Sequence, residues 1–366
     1  MSPPAGFGSP NFLEIMKLSI VQSRKQLLIG AALAVASGGA ALAQNAVLIY
    51  GLADLGFVRE SGGKTGSVNK LTSGVSGGSR LGFRGVEDLG GGNSAIFTLE
   101  SGILMDSGAL GQGGLLFGRQ SFVGLSGGMG TLTLGRQYTP AANVQVEMDP
   151  FSTGLAGTSA NLLSPGGAGG SNRMDNTIKY LSPVLGGFST ELAYGAGEAA
   201  GSASINRQIG GSLGYARGPL TIKLAHHDTK DAAAKSGKVT WVTAKYDFGA
   251  FTGYFNHVTN KGSRVFGLLN DDSTDLLLGI AAPVAVGRVM LSYIRKNDRT
   301  VANNDANQLA LGYIYPLSRR TSFYASYARI NNNAPNTSAT GFYRVGNSTE
   351  QGSGDRAFNF GMRHQF

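Results

Sequence analysis

Val47-Leu48-Ile49-Tyr50-Gly51-Leu52-Ala53-Asp54-Leu55-Gly56-Phe57-Val58 alternates in polarity: one parity carries Val47 and Ile49, the other Leu48, Tyr50 and Leu52 with Asp54 beyond. A period near two over about ten residues, bounded by Gly, Asn, Ser and Asp, predicts a β-strand. The same pattern recurs at 79–88, 94–104, 117–126, 130–138, 174–181, 188–195, 207–217, 220–228, 238–247, 251–260, 274–283, 287–297, 306–315, 321–331 and 356–366. With 47–58 that makes sixteen runs, an even number.

The connections between runs alternate too. Leu89-Gly90-Gly91-Gly92, Gly127-Gly128-Met129, Gly218-Pro219 and Phe248-Gly249-Ala250 are tight turns, whereas 59–78, 139–173, 261–273 and 332–355 are long, polar and rich in Gly, Asn and Ser. Short turns at one end and long loops at the other mark an outer-membrane barrel. Tilted strands of about ten residues span the hydrocarbon layer, and closure leaves no unpaired edge in lipid. A soluble sandwich or propeller would alternate as well, but would not place its long loops on one side only. The expected fold is all-β, a 16-stranded antiparallel transmembrane β-barrel over residues 44–366.

Composition agrees. Of 366 residues 57 are Gly and none is Cys, 42% are apolar and 14% charged. Without Cys there is no disulfide framework, thiolate metal site or cysteine nucleophile, and the apolar fraction is too high for a disordered chain. Ser23-Arg24-Lys25 precedes an apolar run, Leu27 to Ala36, and an Ala41-Leu42-Ala43 cleavage pattern. Residues 1–43 therefore have the form of a secretory signal peptide. The apolar run is too short for a spanning helix. Met1 to Ile15, with Pro, Gly and Glu14, suits a signal poorly, so the expected initiator is Met16. The mature chain keeps 28 basic and 21 acidic residues, net +7.

The last strand, Phe358-Asn359-Phe360-Gly361-Met362-Arg363-His364-Gln365-Phe366, places Phe358, Phe360, Met362 and Phe366 on one parity. An apolar row ending in a terminal aromatic resembles the signal read by the outer-membrane barrel assembly machinery.

Parity also sorts the charges. A cation at the lipid midplane costs roughly 2–4 kcal/mol, so Arg in a spanning strand is expected inward. With Leu81 and Phe83 outward, Arg80 and Arg84 face the lumen; with Phe122 outward, Arg119 shares the inward parity of Ser121. Arg136, Lys179 and Arg59 are further pore-lining candidates. Residues 139–173 form the longest strand-free stretch, holding Glu147, Asp149, Phe151, Asn161 and Gly166-Gly167-Ala168-Gly169-Gly170; a loop this long in a compact fold is commonly functional.

Ser79-Arg80-Leu81-Gly82-Phe83-Arg84-Gly85-Val86-Glu87-Asp88-Leu89-Gly90-Gly91-Gly92, Phe97-Thr98-Leu99-Glu100-Ser101-Gly102, Gly118-Arg119-Gln120-Ser121-Phe122-Val123-Gly124-Leu125 and Gly130-Thr131-Leu132-Thr133-Leu134-Gly135-Arg136-Gln137-Tyr138 together resemble the first strands of the trimeric general porins of Gram-negative bacteria, in their beta-proteobacterial branch. The likeness continues through Arg173-Met174-Asp175-Asn176-Thr177-Ile178-Lys179-Tyr180 and returns at the C-terminus. It implies a homotrimer with the third extracellular loop of each barrel folded inward. It also implies that Arg80, Arg119 and Arg173 line one side of a constriction facing the loop acids, Glu147 and Asp149. A Pro-Glu-Phe loop tip is absent. Residues 102–116 are the candidate latch to a neighbouring subunit.

Rings of Arg or Lys favour anions, and the net positive charge concentrates anions at the mouths, less so as salt rises. The expected function is passive diffusion of small hydrophilic solutes and ions with anion preference, in contact with outer-membrane lipid and lipopolysaccharide. The alternatives are a substrate-selective channel for organic-acid or phosphate-like anions and a structural or adhesion barrel. Nucleic-acid binding is disfavoured because the basic residues are dispersed along exported strands. Catalysis is not expected: adjacent His226 and His227 point to opposite sides of a strand and cannot chelate one metal, His257 and His364 are isolated, and Asp271, Asp272, Asp298 and Asp305 lie in loop segments. No cofactor or metal is implied.

Overall fold

The computed structural model describes residues 46–163, 172–263, 271–338 and 341–366. The expected signal peptide, Met16 and the Gly166–Gly170 run lie outside them.

Seventeen strand segments are present among the described residues: β1 (Ala46–Gly63), β2 (Gly66–Ser73), β3 (Arg80–Gly90), β4 (Asn93–Gly102), β5 (Gln120–Gly127), β6 (Gly130–Tyr138), β7 (Arg173–Leu181), β8 (Phe188–Gly195) and β9 (Gln208–Arg217), followed by β10 (Leu220–Lys230), β11 (Ser236–Asp247), β12 (Thr252–Ser263), β13 (Asp271–Val284), β14 (Gly287–Asp298), β15 (Ala306–Pro316), β16 (Thr321–Asn332) and β17 (Arg356–Gln365). One helix, α1 (Pro140–Met148), and a 3₁₀ turn (Ser159–Asn161) lie between β6 and β7.

Apart from β2 and β3, each strand pairs antiparallel with its neighbour in sequence, and β1 closes the ring against β17, Leu52 opposite Gln365 through Ser61 opposite Arg356. β2 and β3 are two halves of one stave. β1 pairs with β3 over Ala46–Leu52 and with β2 over Leu55–Gly63, so the closed barrel has sixteen staves.

This corrects the expectation of a long loop at 59–78. The hairpin from β1 turns within two residues and returns as a strand, and the irregular piece is the break at 74–79. Asp54 explains the break. Standing opposite the gap, its carboxylate accepts the backbone N–H groups of Val75 (3.1 Å), Ser76 (3.1 Å) and Gly77 (2.9 Å), which have no strand partner there. The buried polar groups are thus satisfied without a ladder.

At the opposite end the β3–β4 turn places Gly90, Gly91 and Gly92 at φ of 79°, 61° and 79°, a left-handed run that side chains resist. Ring pairs Phe188–Tyr215, Tyr246–Phe248 and Phe248–Phe251, each 4.7 Å apart, gather near the same end. They suit a membrane-interface girdle. Outward positions such as Leu224, Val242, Phe255, Leu278, Leu291, Leu309 and Phe323 are exposed apolar side chains. Phe366, also exposed, is held by its backbone, its N–H donating to Gly51 O and its O accepting from Gly51 N.

The interior is not uniformly polar. On β11 to β16 the lumenal parity carries Val239, Trp241, Val258, Leu277, Met290, Ile294, Ala310 and Ile330, all buried. Val144, Met148, Phe151, Leu155, Leu162 and Leu163 of the 139–163 segment join them in one apolar core. Hydrogen bonds fix the contact: Asn256 Nδ2 to Met148 O, Ser326 Oγ from Ala156 N–H, and Asn161 Nδ2 to Gln308 Oε1. The segment therefore lies inside the barrel, glued to one wall. Its other edge meets the break in the β2/β3 stave, where Leu155 N–H donates to Val75 O at 2.7 Å.

Candidate pore constriction

Arg80 opens β3, Glu100 lies near the end of β4, Arg119 immediately precedes β5, Tyr138 ends β6 and Arg173 opens β7. In an antiparallel sheet these positions share one end of neighbouring strands. The side chains meet there. Arg119 Nε donates to Glu100 Oε1 at 2.7 Å and its Nη2 to Tyr138 Oη at 2.7 Å. Arg173 Nη2 donates to the same Oη at 2.7 Å, its Nε to Arg119 O at 2.8 Å, and its guanidinium sits 4.5 Å from the Tyr138 ring centre. Arg80 Nη1 is 3.9 Å from Glu100 Oε2, which also accepts the Tyr50 hydroxyl at 2.9 Å. Two guanidinium groups thus share the Glu100 carboxylate, and the third, Arg173, joins them through Tyr138 Oη and Arg119 O, so that three cations surround one acid. Arg119 and Arg173 are almost fully buried, while the Arg80 side chain keeps 28% of its surface.

The structure brings Arg80, Arg119 and Arg173 together, but not by the expected parity. Phe122 stands opposite Thr98 and Gly135 on the lumenal side, and Val123 and Leu125 face outward. Arg119 lies in a bend, its N–H bonded to Glu100 O, so strand alternation does not govern it.

Arg84 shares Arg80's lumenal parity and stacks 4.8 Å from the Tyr50 ring centre. Lys179 is also lumenal, pairing with Glu191 at 2.6 Å and donating to Tyr138 O. Arg136 is a correction. Ordinary alternation puts Thr133 and Gln137 inside, bonded to each other, and places Arg136 on the parity of exposed Leu132 and Leu134. That turns Arg136 outward, where it pairs with Asp175 and donates to Gly118 O. Arg59 likewise points outward between buried Val58 and Glu60, donating to Asn69.

The two loop acids behave differently from each other. Asp149 is 2% exposed and works within the loop, its Oδ1 accepting Phe151 N–H and its Oδ2 the N–H groups of Thr153 and Ser159. Burial pushes its carboxyl up against those bonds. It does not face the arginines, because the loop must satisfy its own backbone donors. Glu147, in the last turn of α1, pairs with Lys223 of β10 and Lys245 of β11. Burial alone would raise its carboxyl, but the two ammonium groups outweigh that and hold it below the ordinary range. The acid that meets the arginine cluster is Glu100, on the wall.

Glu100, Lys223 and Lys245 were not singled out from the sequence. The signal for Lys223 was present in Leu220-Thr221-Ile222-Lys223-Leu224, where apolar Ile222 and Leu224 set the outward parity.

A sequence profile described as Gram-negative porin matches residues 30–335. The chain is 34% identical over 361 residues to outer membrane porin protein 32 of Delftia acidovorans, covering 93% of this chain and all of that one. It is 30% identical over 365 residues to an outer membrane porin protein of Bordetella pertussis, covering 83% and 94%. Among solved structures, an anion-selective porin from Comamonas acidovorans matches with a TM-score of 0.74 at 29% identity, over 88% of this chain and 100% of that one. An outer membrane protein of Vibrio cholerae in trimer form shares the fold, with a TM-score of 0.64 at 16% identity over 88% and 99%.

Proposed function

Since the chain belongs to the Gram-negative porin family, we propose that the outer-membrane channel it forms passes small hydrophilic solutes by diffusion and prefers anions. The observation that carries the preference is the cluster of Arg80 and Arg119 on the single carboxylate of Glu100, with Arg173 joined to Arg119 through Tyr138. The inward loop adds no free acid on the opposing side, because Glu147 is matched by two lysines and Asp149 is consumed by backbone donors. A channel lined this way attracts anions, and a solved structural relative is described as anion-selective. Reversal potentials across a planar bilayer with a salt gradient test it: the expected sign is anion preference, and cation preference overturns the reading. Tight saturable block by one anion, at micromolar concentration, would favour the substrate-selective alternative.

The working assembly is a homotrimer. Support comes from exposed Met105, Leu110, Leu115 and Leu116 on the loop after β4, within or next to the 102–116 latch, and from exposed Val47, Ile49 and Leu71 on the first stave pair. Unheated gels should show a heat-dissociable trimer; a stably folded monomer in mild detergent counts against it. Residues 16–43, with Met16 as initiator, serve export, and Phe366 with its apolar row serves recognition by the assembly machinery. Lipid and lipopolysaccharide are the expected surroundings.

A further inference from the structure

A second cationic group lies deeper in the barrel than the arginine cluster. Glu147 sets one carboxylate oxygen against Lys223 Nζ and the other, at 3.2 Å, against Lys245 Nζ. Both lysines are on the lumenal parity of adjacent strands, with Lys223 opposite Thr243 and Lys245 opposite Thr221. Their side chains keep 24% and 27% of their surface. Tyr254 stands beside Lys245 on the next strand, and its hydroxyl accepts from Arg288 Nη2 at 3.0 Å. Arg288 makes no ion pair among the described residues.

The two basic groups sit at different heights. Lys223 is three residues from the start of β10, Lys245 two from the end of β11, and Arg288 one from the start of β14, all at the short-turn end. Arg80, Arg119 and Arg173 lie at the long-loop end. With a strand rise of about 3.3 Å per residue and a tilt of about 40°, the axial separation is on the order of 15 Å.

We propose that Lys223, Lys245 and Arg288 form a second anion-binding station on the turn side of the inward loop, suited to small dicarboxylates, with Glu147 as its built-in competitor. The contact that defines the ligand is already made within the chain: a carboxylate bridging two ammonium groups, one per oxygen. A solute carboxylate presents the same oxygens, and Arg288 with Tyr254 offers a donor to the solute's other end. Because Glu147 is tethered, it reoccupies the lysines when solute leaves. The resulting site is weak, as conduction requires, since an ion must leave as readily as it enters. The inference rests on the anion-preferring reading and adds the solute class.

The test is single-channel chloride current at low salt with succinate added to one side at a time. Wild type should show saturable block, stronger from the turn-end side. Glu147→Gln should lower the half-blocking concentration about fivefold, the value expected for one charge at contact distance in water. Lys223→Gln with Lys245→Gln should raise it by at least that factor. Arg288→Gln touches no loop residue and should weaken block even if the double variant folds poorly. Acetate should block less than succinate. Absence of saturable block in an anion-preferring wild type, or an unchanged half-blocking concentration in Glu147→Gln, overturns the station alone. Inorganic phosphate blocking as well as succinate overturns the dicarboxylate assignment. Cation preference in wild type overturns the underlying reading instead.

Discussion

Arg119 donates through Nε to Glu100 Oε1 at 2.7 Å, so the acid nearest the arginines stands on the barrel wall inside their cluster. The folded loop contributes its own acid, Glu147, to a different set of cations. The charge in the arginine cluster is therefore that of three wall guanidinium groups and one wall carboxylate.

Glu100→Gln should strengthen anion preference, because Gln keeps an oxygen to accept from Arg119 Nε, and an amide that can donate to the Tyr50 hydroxyl oxygen, but removes the charge. A unit charge at about 4 Å in water is worth about 1 kcal/mol, or roughly fivefold in the anion-to-cation permeability ratio at low ionic strength. The effect should shrink as salt rises and screening sets in. Replacing Arg80, Arg119 and Arg173 together by Ala should act in the opposite direction. Reversal potentials at two salt concentrations measure both, and equal ratios in wild type and Glu100→Gln at low salt would refute the assignment.

Arg136→Ala should leave selectivity unchanged within error. Its side chain leaves the strand on the parity of exposed Leu132 and Leu134 and is taken up by Asp175 and Gly118 O. A selectivity shift comparable to that of an arginine-cluster variant would place it back in the lumen.

Strand positions were legible because burial in lipid enforces a strict period of two, and sixteen staves followed from that period alone. What failed was alternation at the strand ends. Arg119 sits in a bend, so its side-chain direction depends on backbone geometry that polarity does not encode, whereas Arg136 follows the alternation of exposed Leu132 and Leu134. The break at 74–79 was read as part of a loop because its partner, Asp54, lies about twenty residues away on another strand. The apolar lumen of β11 to β16 had the same origin: Trp241 and Leu277 face inward because the loop covers them. The role of Asp149 was hidden for a related reason, since an acid in a loop can face water or bind its own backbone, and only the folded geometry decides.

Trp241→Ala should loosen the inward loop. Trp241 is fully buried between the wall and the 139–163 segment, and truncating a core Trp costs about 3–5 kcal/mol. Expected outcomes are a lower thermal transition and larger open-channel noise, with barrel strand content by circular dichroism unchanged. Quiet channels of wild-type conductance would show that the loop is held elsewhere.

Asp149→Asn removes at least one acceptor from a carboxylate that takes three backbone N–H groups. A buried donor left unpaired costs about 1–3 kcal/mol. The variant should therefore raise loop mobility, seen as channel noise or faster protease cleavage, while the permeability ratio stays near wild type. A strong rise in anion preference without added noise would mean that Asp149 faces the pore.

The pH dependence of the channel separates Glu147 from the other acids. Its carboxyl is held below the ordinary glutamate value of 4.5 because Lys223 and Lys245 together outweigh the burial that would raise it. A depressed value in the folded protein means that the ionic tether is intact above pH 4.5 and is lost only as pH falls through the lowered value. Lys223 and Lys245 face this group from β10 and β11, with Tyr254 beside Lys245 on β12. Glu191 bonds to Asn143 of α1 and the lumen holds other carboxylates, so the informative quantity is a difference between proteins. Wild type and Glu147→Gln should differ in anion preference and in succinate block at pH 6 and converge as pH falls well below 4.5, when the wild-type carboxyl becomes neutral like the amide. A difference that persists at pH 3, or one that has already vanished at pH 5, is incompatible with a carboxylate stabilised by two ammonium groups.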